Sequence, residues 1–198
     1  MTIERLHSTE IIGKTSSEAF LYVIRQNPQI EGITFTIYKP RIPNPENLTE
    51  RIQSVKTDEY IQMGRNINRD FLDRLIESLP QNKSLGINSS VVLSDRRCGQ
   101  IPMLDFSCEI SKENRGLIKE LMKMIKFSGF LVESGDSYHF IGNEIIEGDK
   151  GWMNFLGKSL LSGLVDYRYI AHGLDRGFNT LRISHKNTTS EPRIIDIL

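Results

Sequence analysis

The chain has 198 residues, with 25 Lys and Arg against 25 Asp and Glu, and therefore no formal net charge. This length suits one large domain or two small intertwined units. The neutral balance excludes binding of nucleic acid through a global electrostatic field, so any contact with phosphates needs a local cluster. The two cysteines form no Cys-x-x-Cys motif, which argues against a structural zinc site. No stretch approaches the length that spans a membrane, and we expect a soluble, cytoplasmic protein.

The N-terminal part predicts helices around one strand. A Thr-x-x-Glu pattern from Thr15 to Glu18 is typical of a helix capping box. The predicted elements are, in order, a helix that ends near Asn27, a strand over 32–38, a proline-rich loop over 39–45, and helices over 48–55 and 58–79. The charged residues of the longer helix resemble a solvated helix face. This part of the chain shows no cluster of chemically useful side chains.

The C-terminal part mixes short strands with two amphipathic helices. Strands are predicted over 87–93, 101–110, 130–132, 138–142, 178–185 and 194–198, with a hairpin loop over 94–99 and helices over 114–127 and 149–161. From Ile101 the order is β-α-β-β-α-β, which is the order of a ferredoxin-like or RRM-like unit. We therefore predict an α+β fold, with an N-terminal α/β subdomain over 1–86 packed beside an RRM-like palm over 87–198.

This predicted topology places several polar side chains on one face of a sheet. In the strands around Leu104, Tyr138 and Leu181, apolar residues alternate with polar ones, and the apolar set is expected to face the two helices. The polar set then shares the open face: Asp105, Glu109, His139, Arg182, Ser184 and Lys186. Carboxylates of this kind bind hard cations, and the basic and hydroxyl groups beside them suit phosphates. A merely solvated sheet face would show a similar pattern, and that interpretation stays open.

A turn with small residues precedes the predicted strand that carries His139. Its sequence is Ser-Gly-Asp-Ser over 134–137, and it offers backbone N–H groups to an anion. A single histidine on a strand is also compatible with a purely structural role. Polar partners on the neighbouring strands favour the functional interpretation.

The motifs and their order resemble the archaeo-eukaryotic primase superfamily, which includes primase-polymerases. The Asp105 to Glu109 strand looks like its metal-binding acidic motif, and Ser134-Gly135-Asp136-Ser137-Tyr138-His139 is similar to its Ser-Gly-x-x-x-His motif. Val165-Asp166 looks like its hydrophobic-Asp motif, and residues 181–186 resemble a triphosphate-binding strand. The resemblance covers the C-terminal half. One position departs from it, since Ser107 stands where the family's second acidic residue is expected.

The resemblance implies roles for individual residues. Asp105 and Asp166, together with Glu109, would hold Mg²⁺ or Mn²⁺, and His139 would contact the phosphates of the incoming nucleotide. The implied nucleotide-binding set is Ser134, Gly135, Ser137, His139, Arg182, Ser184 and Lys186. The implied catalytic set is Asp105, Asp166 and His139.

The resulting functional hypothesis is a primase-polymerase-like nucleotidyltransferase that acts in DNA replication and adds an NTP or dNTP to a nucleic-acid 3′-hydroxyl. Its partners would be the nucleotide, a DNA template-primer and a helicase or nuclease, with no membrane. Three alternatives stay open: a catalytically degenerate palm that binds nucleotide or nucleic acid without turnover, a metal-dependent nuclease, and a structural ferredoxin-like domain.

Overall fold

A computed structural model describes residues 8–40, 59–185 and 190–198. The fold is α+β, as predicted, and every strand pair within these residues is antiparallel. The helices are α1 (Ser8–Ile11), α2 (Ser16–Gln26), α3 (Arg69–Glu77), α4 (Lys112–Ile125), α5 (Asp149–Leu161) and α6 (Tyr167–Arg176). The strands are β1 (Ile30–Tyr38), β2 (Glu59–Gly64), β3 (Ser84–Leu93), β4 (Cys98–Gln100), β5 (Met103–Asp105), β6 (Gly129–Glu133), β7 (Tyr138–Gly142), β8 (Ile146–Glu147), β9 (Thr180–Arg182) and β10 (Arg193–Ile197). The predicted helix over 48–55 lies outside the described residues.

The first sheet is built around β3. Its strand order is β2-β1-β3-β4-β8, and β9 pairs with the first half of β3 while β4 pairs with the second half. The predicted helix over 58–79 is wrong in its first part, because 59–64 forms β2 and pairs with the outer side of β1. Only the second part is helical, and it begins where the Asn68 side chain accepts a hydrogen bond from the Phe71 N–H.

The second sheet has the order β10-β6-β7-β5 and carries the opening motifs of the predicted palm. As predicted, β5 and β7 are neighbours. The ferredoxin-like order also requires the last strand to flank β5, and there the prediction is wrong, since β9 pairs with β3 of the first sheet. Both halves of the chain therefore contribute strands to the first sheet. The predicted division into two subdomains between residues 86 and 87 stays a prediction.

Two apolar clusters fix the orientation of the second sheet. On one face, Leu104, Phe106, Tyr138 and Phe140 pack in a cluster with residues of α4, α5 and α6, as the alternation predicts. The opposite face is not open, contrary to prediction. Its residues Met103, Phe130, Val132, Ile141 and Ile194 share a core with α2 and the first sheet. The polar positions of β5 and β7 therefore lie at the end of a buried interface between the two sheets.

The local signals at the helix ends explain why the helices form where they do. The predicted capping box is present at α2, where the Thr15 N–H donates to Glu18 Oε2 at 2.9 Å and Thr15 Oγ1 accepts from the Glu18 N–H. Ser111 and Asp166 cap α4 and α6 through their side-chain oxygens. Among the described residues, none of the helices is both long and apolar enough to cross a membrane.

Candidate functional site

Asp105 and His139 form the centre of the candidate site. They lie opposite each other in the β5–β7 register, and His139 Nε2 is 3.6 Å from Asp105 Oδ1. The imidazole is 7% exposed, whereas the carboxylate is 35% exposed. Burial, followed by the nearby positive charge of Arg182, lowers the pKa of His139 to about 3. The imidazole is therefore neutral near pH 7, and the two side chains do not form an ion pair there.

A neutral imidazole has one N–H donor and one acceptor nitrogen. The Nδ1 atom of His139 is buried, and no hydrogen-bond partner for it lies within the described part of the chain. Buried polar atoms in folded proteins nearly always have a partner, so an atom of this kind is a common sign of a ligand or water site. His139 therefore combines a buried, neutral ring with unused hydrogen-bonding capacity.

Asp166 is joined to Asp105 through the main chain. The Asp166 N–H donates to the Asp105 carbonyl at 2.9 Å, next to a bridge between Phe106 and Val165. The Asp166 carboxylate accepts from the Arg168 N–H at 2.8 Å and from the Arg168 guanidinium at 2.9 Å and 3.2 Å. Burial alone would raise the pKa of Asp166, but the hydrogen bonds from Arg168 outweigh it and the pKa is lowered.

Arg182 connects the two sheets at the site. It is the last residue of β9 in the first sheet, and its guanidinium donates to the carbonyls of Ser134 and Ser184. The Ser134 carbonyl belongs to the turn between β6 and β7 of the second sheet. Burial lowers the pKa of Arg182, and Asp105 and Asp136 oppose that shift. A guanidinium held by two carbonyls near this turn is well suited to binding an anion.

The turn between β6 and β7 is closed by its own serines. The Ser134 N–H donates to the Ser137 carbonyl at 3.0 Å, and the Ser134 hydroxyl donates to the same oxygen at 3.2 Å. Gly135 adopts φ of 115°, a conformation that side-chain-bearing residues rarely adopt. Gly135 and Asp136 are exposed, whereas Ser134 is buried. The exposed part of the turn lies at the same end of the sheet as Asp105.

Three of the predicted site residues are not joined to this group. Glu109 is exposed beyond the end of β5, and its carbonyl accepts from Asn114 Nδ2 at 2.9 Å. Ser184 is buried, and its hydroxyl accepts from the Leu85 N–H at 2.9 Å. Lys186 lies outside the described residues. Across residues 8–40, 59–185 and 190–198, no group of three or more His, Cys, Asp or Glu side chains is arranged to hold a metal ion.

The structure adds site residues that the sequence interpretation missed. Arg168 forms an ion pair with the Asp166 carboxylate. The bond to Asp166 and the nearby charge of Asp105 both raise the pKa of Arg168. Tyr38, the last residue of β1, lies close enough to influence Arg182 and Tyr169 electrostatically. The Asp-x-Arg spacing of Asp166 and Arg168 is a local signal that was available in the sequence. Tyr38 carries no such signal, since only the sheet packing brings it near β9.

Comparison with known protein families decides the assignment. Residues 63–194 match the AEP-like family, described as archaeo-eukaryotic primase 1D-like. The chain belongs to this family. The match begins near the end of β2 and ends at the start of β10, and it includes Asp105, His139, Asp166 and Arg182. The matched residues therefore belong to both sheets. Searches of curated proteins and of solved structures found no match.

Proposed function

We propose that this AEP-like protein binds the phosphates of an NTP or dNTP at the end of the interface between its two sheets, where Arg182, His139 and the Ser134–Ser137 turn form a site that we call the cleft. The observation that carries the proposal is Arg182, a largely buried guanidinium that joins β9 to the Ser134–Ser137 turn beside His139. A positive charge held in a partly desolvated cleft interacts more strongly with phosphate than one in water does. The family membership, which points to nucleotidyltransferase-related proteins, makes a nucleotide the natural ligand.

Each residue of the cleft has a distinct part in this proposal. Arg182 supplies the charge, and the exposed backbone of Gly135 and Asp136 supplies N–H donors. His139 contributes a neutral donor or acceptor, which binds phosphate oxygen without adding charge. Ser137, the last residue of the turn, offers a hydroxyl, whereas the Ser184 hydroxyl already accepts from the Leu85 N–H. The second sheet, with α4 and α5 on its outer face, would be the counterpart of an RRM-like palm. It differs from such a palm because β9 pairs with β3 of the first sheet.

A second candidate function is transfer of the nucleotide to a nucleic-acid 3′-hydroxyl. The main-chain bond between Asp105 and Asp166 favours it, because it holds the acidic motif and the hydrophobic-Asp motif side by side. Carboxylate oxygens suit Mg²⁺ or Mn²⁺, which would neutralise charge on the phosphates. The donor set as it stands does not fit a complete metal site, since Arg168 holds both oxygens of Asp166 and Glu109 lies apart.

Calorimetry and primer extension separate the two candidates. Titration of ATP, GTP and the corresponding dNTPs into the protein, with and without Mn²⁺, is expected to show binding that Arg182→Lys weakens. Absence of nucleotide binding by the unmodified protein contradicts the first proposal. Incorporation of labelled nucleotide into a primed template, abolished by Asp105→Ala, is expected if the protein is also a nucleotidyltransferase. Binding without incorporation identifies a catalytically degenerate palm, and degradation of labelled DNA without added nucleotide identifies a nuclease.

A further inference from the structure

One face of α4 carries a row of basic side chains that the cleft does not use. The row, which we call the α4 stripe, consists of Lys112, Arg115, Lys119, Lys123 and the C-cap residue Lys126. At 3.6 residues per turn these five positions fall within about 80° of one another around the helix axis. At about 1.5 Å per residue the stripe is about 21 Å long. The four lysines are exposed and Arg115 is half-buried.

The charge of the α4 stripe is only partly neutralised. Asp196 of β10 pairs with Arg115 at 2.8 Å and also with Lys119. No acidic side chain of the described chain forms an ion pair with Lys112, Lys123 or Lys126. Glu120 and Glu113 of the same helix fall about 60° and about 80° beyond the edge of the stripe. The whole chain has no net charge, so binding of phosphates requires a local cluster of positive charge, and the α4 stripe is such a cluster.

The α4 stripe begins at the end of the second sheet that carries the candidate site, on the outer face of that sheet. Ser111, the N-cap of α4, exchanges hydrogen bonds with the Tyr138 hydroxyl, which accepts from the Ser111 N–H at 2.9 Å and donates to the Ser111 carbonyl at 3.0 Å. Tyr138 directly precedes His139. A cavity of about 590 Å³ also lies between Arg115 and the exposed turn residues Gly135 and Asp136. The first turn of the stripe and the phosphate-binding turn therefore share one end of the second sheet.

We propose that the α4 stripe binds the phosphate backbone of a single nucleic-acid strand and leads that strand to the cleft. This inference rests on the proposed nucleotide-binding function, which makes a nucleic-acid strand the partner expected at the cleft. The stripe spans about six nucleotides of a stacked strand at about 3.4 Å each. No aromatic side chain lies on the stripe, so contact is through phosphates and is independent of base sequence.

The geometry of α4 favours a nucleic acid over a membrane surface. The exposed apolar residues of this helix, Leu117 and Met124, lie on its other flank, and Glu113 and Glu120 separate them from the basic side chains. A flat anionic membrane that contacted both flanks would also meet these two carboxylates. A narrow polyanion contacts the stripe alone.

Fluorescence anisotropy with a labelled 20-nucleotide oligothymidylate, in the absence of nucleotide, tests the proposal. The triple variant Lys119→Gln, Lys123→Gln, Lys126→Gln is expected to bind at least about tenfold more weakly at low salt. Its plot of log affinity against log salt concentration is expected to be shallower by about 2, since each lost phosphate contact on a single strand removes about 0.7. The pair Lys123→Gln, Lys126→Gln leaves the Asp196 ion pairs intact and is expected to give a shallower slope by about 1.4.

The matched control is Arg25→Gln, Arg96→Gln, Lys150→Gln, which removes the same charge from exposed positions on α2, in the loop between β3 and β4, and on α5. It is expected to keep the affinity and slope of the unmodified protein. Equal loss in both triple variants, or no loss in the stripe variant, overturns the proposal. Tighter binding of polyglutamate or of phosphatidylserine vesicles than of the oligonucleotide also overturns it. Nucleotide titrations on the same variants distinguish failure of this proposal from failure of the proposed nucleotide binding, because the stripe variants are expected to retain nucleotide affinity.

Discussion

His139 lies directly opposite Asp105 across the β5–β7 pair, and its buried imidazole is held 3.6 Å from a carboxylate that is one-third exposed. The arrangement places a neutral ring beside an anion because burial lowers the pKa of His139 to about 3. An unfolded chain would bind a proton at this position near pH 6.5, whereas the folded chain would not.

A pH-dependent stability follows from this difference. Between about pH 6 and pH 4 the unfolded state binds one more proton at His139 than the folded state, so the free energy of unfolding falls as the pH falls. The expected slope is about 1.4 kcal/mol per pH unit. Urea unfolding of His139→Gln at pH 6 and pH 5 is expected to lack this contribution. The exposed His185→Gln is the control, and it is expected to keep the pH dependence of the unmodified protein. Identical pH dependence of the free energy of unfolding in all three proteins would contradict a lowered pKa of His139 in the folded state.

The strongest local signals in the sequence predicted their elements correctly. Residues 138–142 and 149–161 form β7 and α5 with the predicted bounds, because alternation and helical periodicity are carried by neighbouring residues. The pairing of β5 with β7, which brings Asp105 to His139, also follows from the predicted element order. Helix α6, by contrast, was not predicted, although Asp166 and Gly177 cap its two ends.

The failures have non-local causes. The helical pattern over 58–79 was overridden in its first part by pairing with β1, which satisfies the hydrogen bonds of 59–64 between strands. β9 joins β3 because its partner is chosen by packing of the whole domain, and no pattern in 178–185 reveals that choice. The strand predicted over 101–110 ends early, since the Ser107 N–H bonds to the Leu164 carbonyl and the chain turns away before Glu109.

Arg168 is expected to compete with a metal ion for Asp166. Its guanidinium binds both carboxylate oxygens, so Arg168→Ala removes these side-chain bonds, while the main-chain N–H bond to Oδ1 remains. We expect Mn²⁺ to bind about tenfold more tightly to this variant, as measured by titration of free Mn²⁺ with electron paramagnetic resonance. Adding Asp105→Asn is expected to reverse the gain.

The surface pair Asp95 and Arg97 provides a close match for this test. It has the same Asp-x-Arg spacing, with the Arg97 N–H and guanidinium both donating to the Asp95 carboxylate. Because Arg97 also binds Glu147, the control is the double variant Arg97→Ala, Glu147→Gln, which removes that second carboxylate as well and is expected to leave Mn²⁺ affinity unchanged. Unchanged affinity in Arg168→Ala as well would show that the Asp166 carboxylate is not part of a metal site.

Arg182 is expected to act in both stability and nucleotide binding. Arg182→Lys keeps a positive charge but cannot donate to the Ser134 and Ser184 carbonyls in the same fork geometry. We expect a loss of about 1–3 kcal/mol in the free energy of unfolding and nucleotide binding about tenfold weaker. Arg65→Lys is the matched control, since Arg65 also donates to two carbonyls, those of Ile24 and Pro28, but directly follows β2, the edge strand of the first sheet farthest from β9. A stability loss without any loss of nucleotide affinity would make Arg182 purely structural.

Gly86 of β3 sets the position of β9 and hence of Arg182. A Cβ atom at this position would lie 2.5 Å from Thr180 Cγ2 and 3.2 Å from the Leu181 carbonyl oxygen. Gly86→Ala therefore pushes β9 away from β3, and we expect a loss of about 1–3 kcal/mol in the free energy of unfolding together with weaker nucleotide binding. Gly116→Ala, in the exposed part of α4 where a Cβ meets nothing within 4 Å, is expected to stabilise the protein by about 0.5–1 kcal/mol.

Removing the methyl group that causes the contact tests this explanation directly. Thr180→Ser deletes Cγ2 but keeps the hydroxyl that donates to Asn88 Oδ1 at 2.8 Å. In the Gly86→Ala background it is expected to restore part of the stability and part of the nucleotide affinity. The recovery is partial because the Leu181 carbonyl oxygen is main chain and remains close to the new methyl group. If stability returns while nucleotide affinity does not, the position of β9 and the phosphate site are not coupled, and the role proposed for Arg182 in binding fails with it.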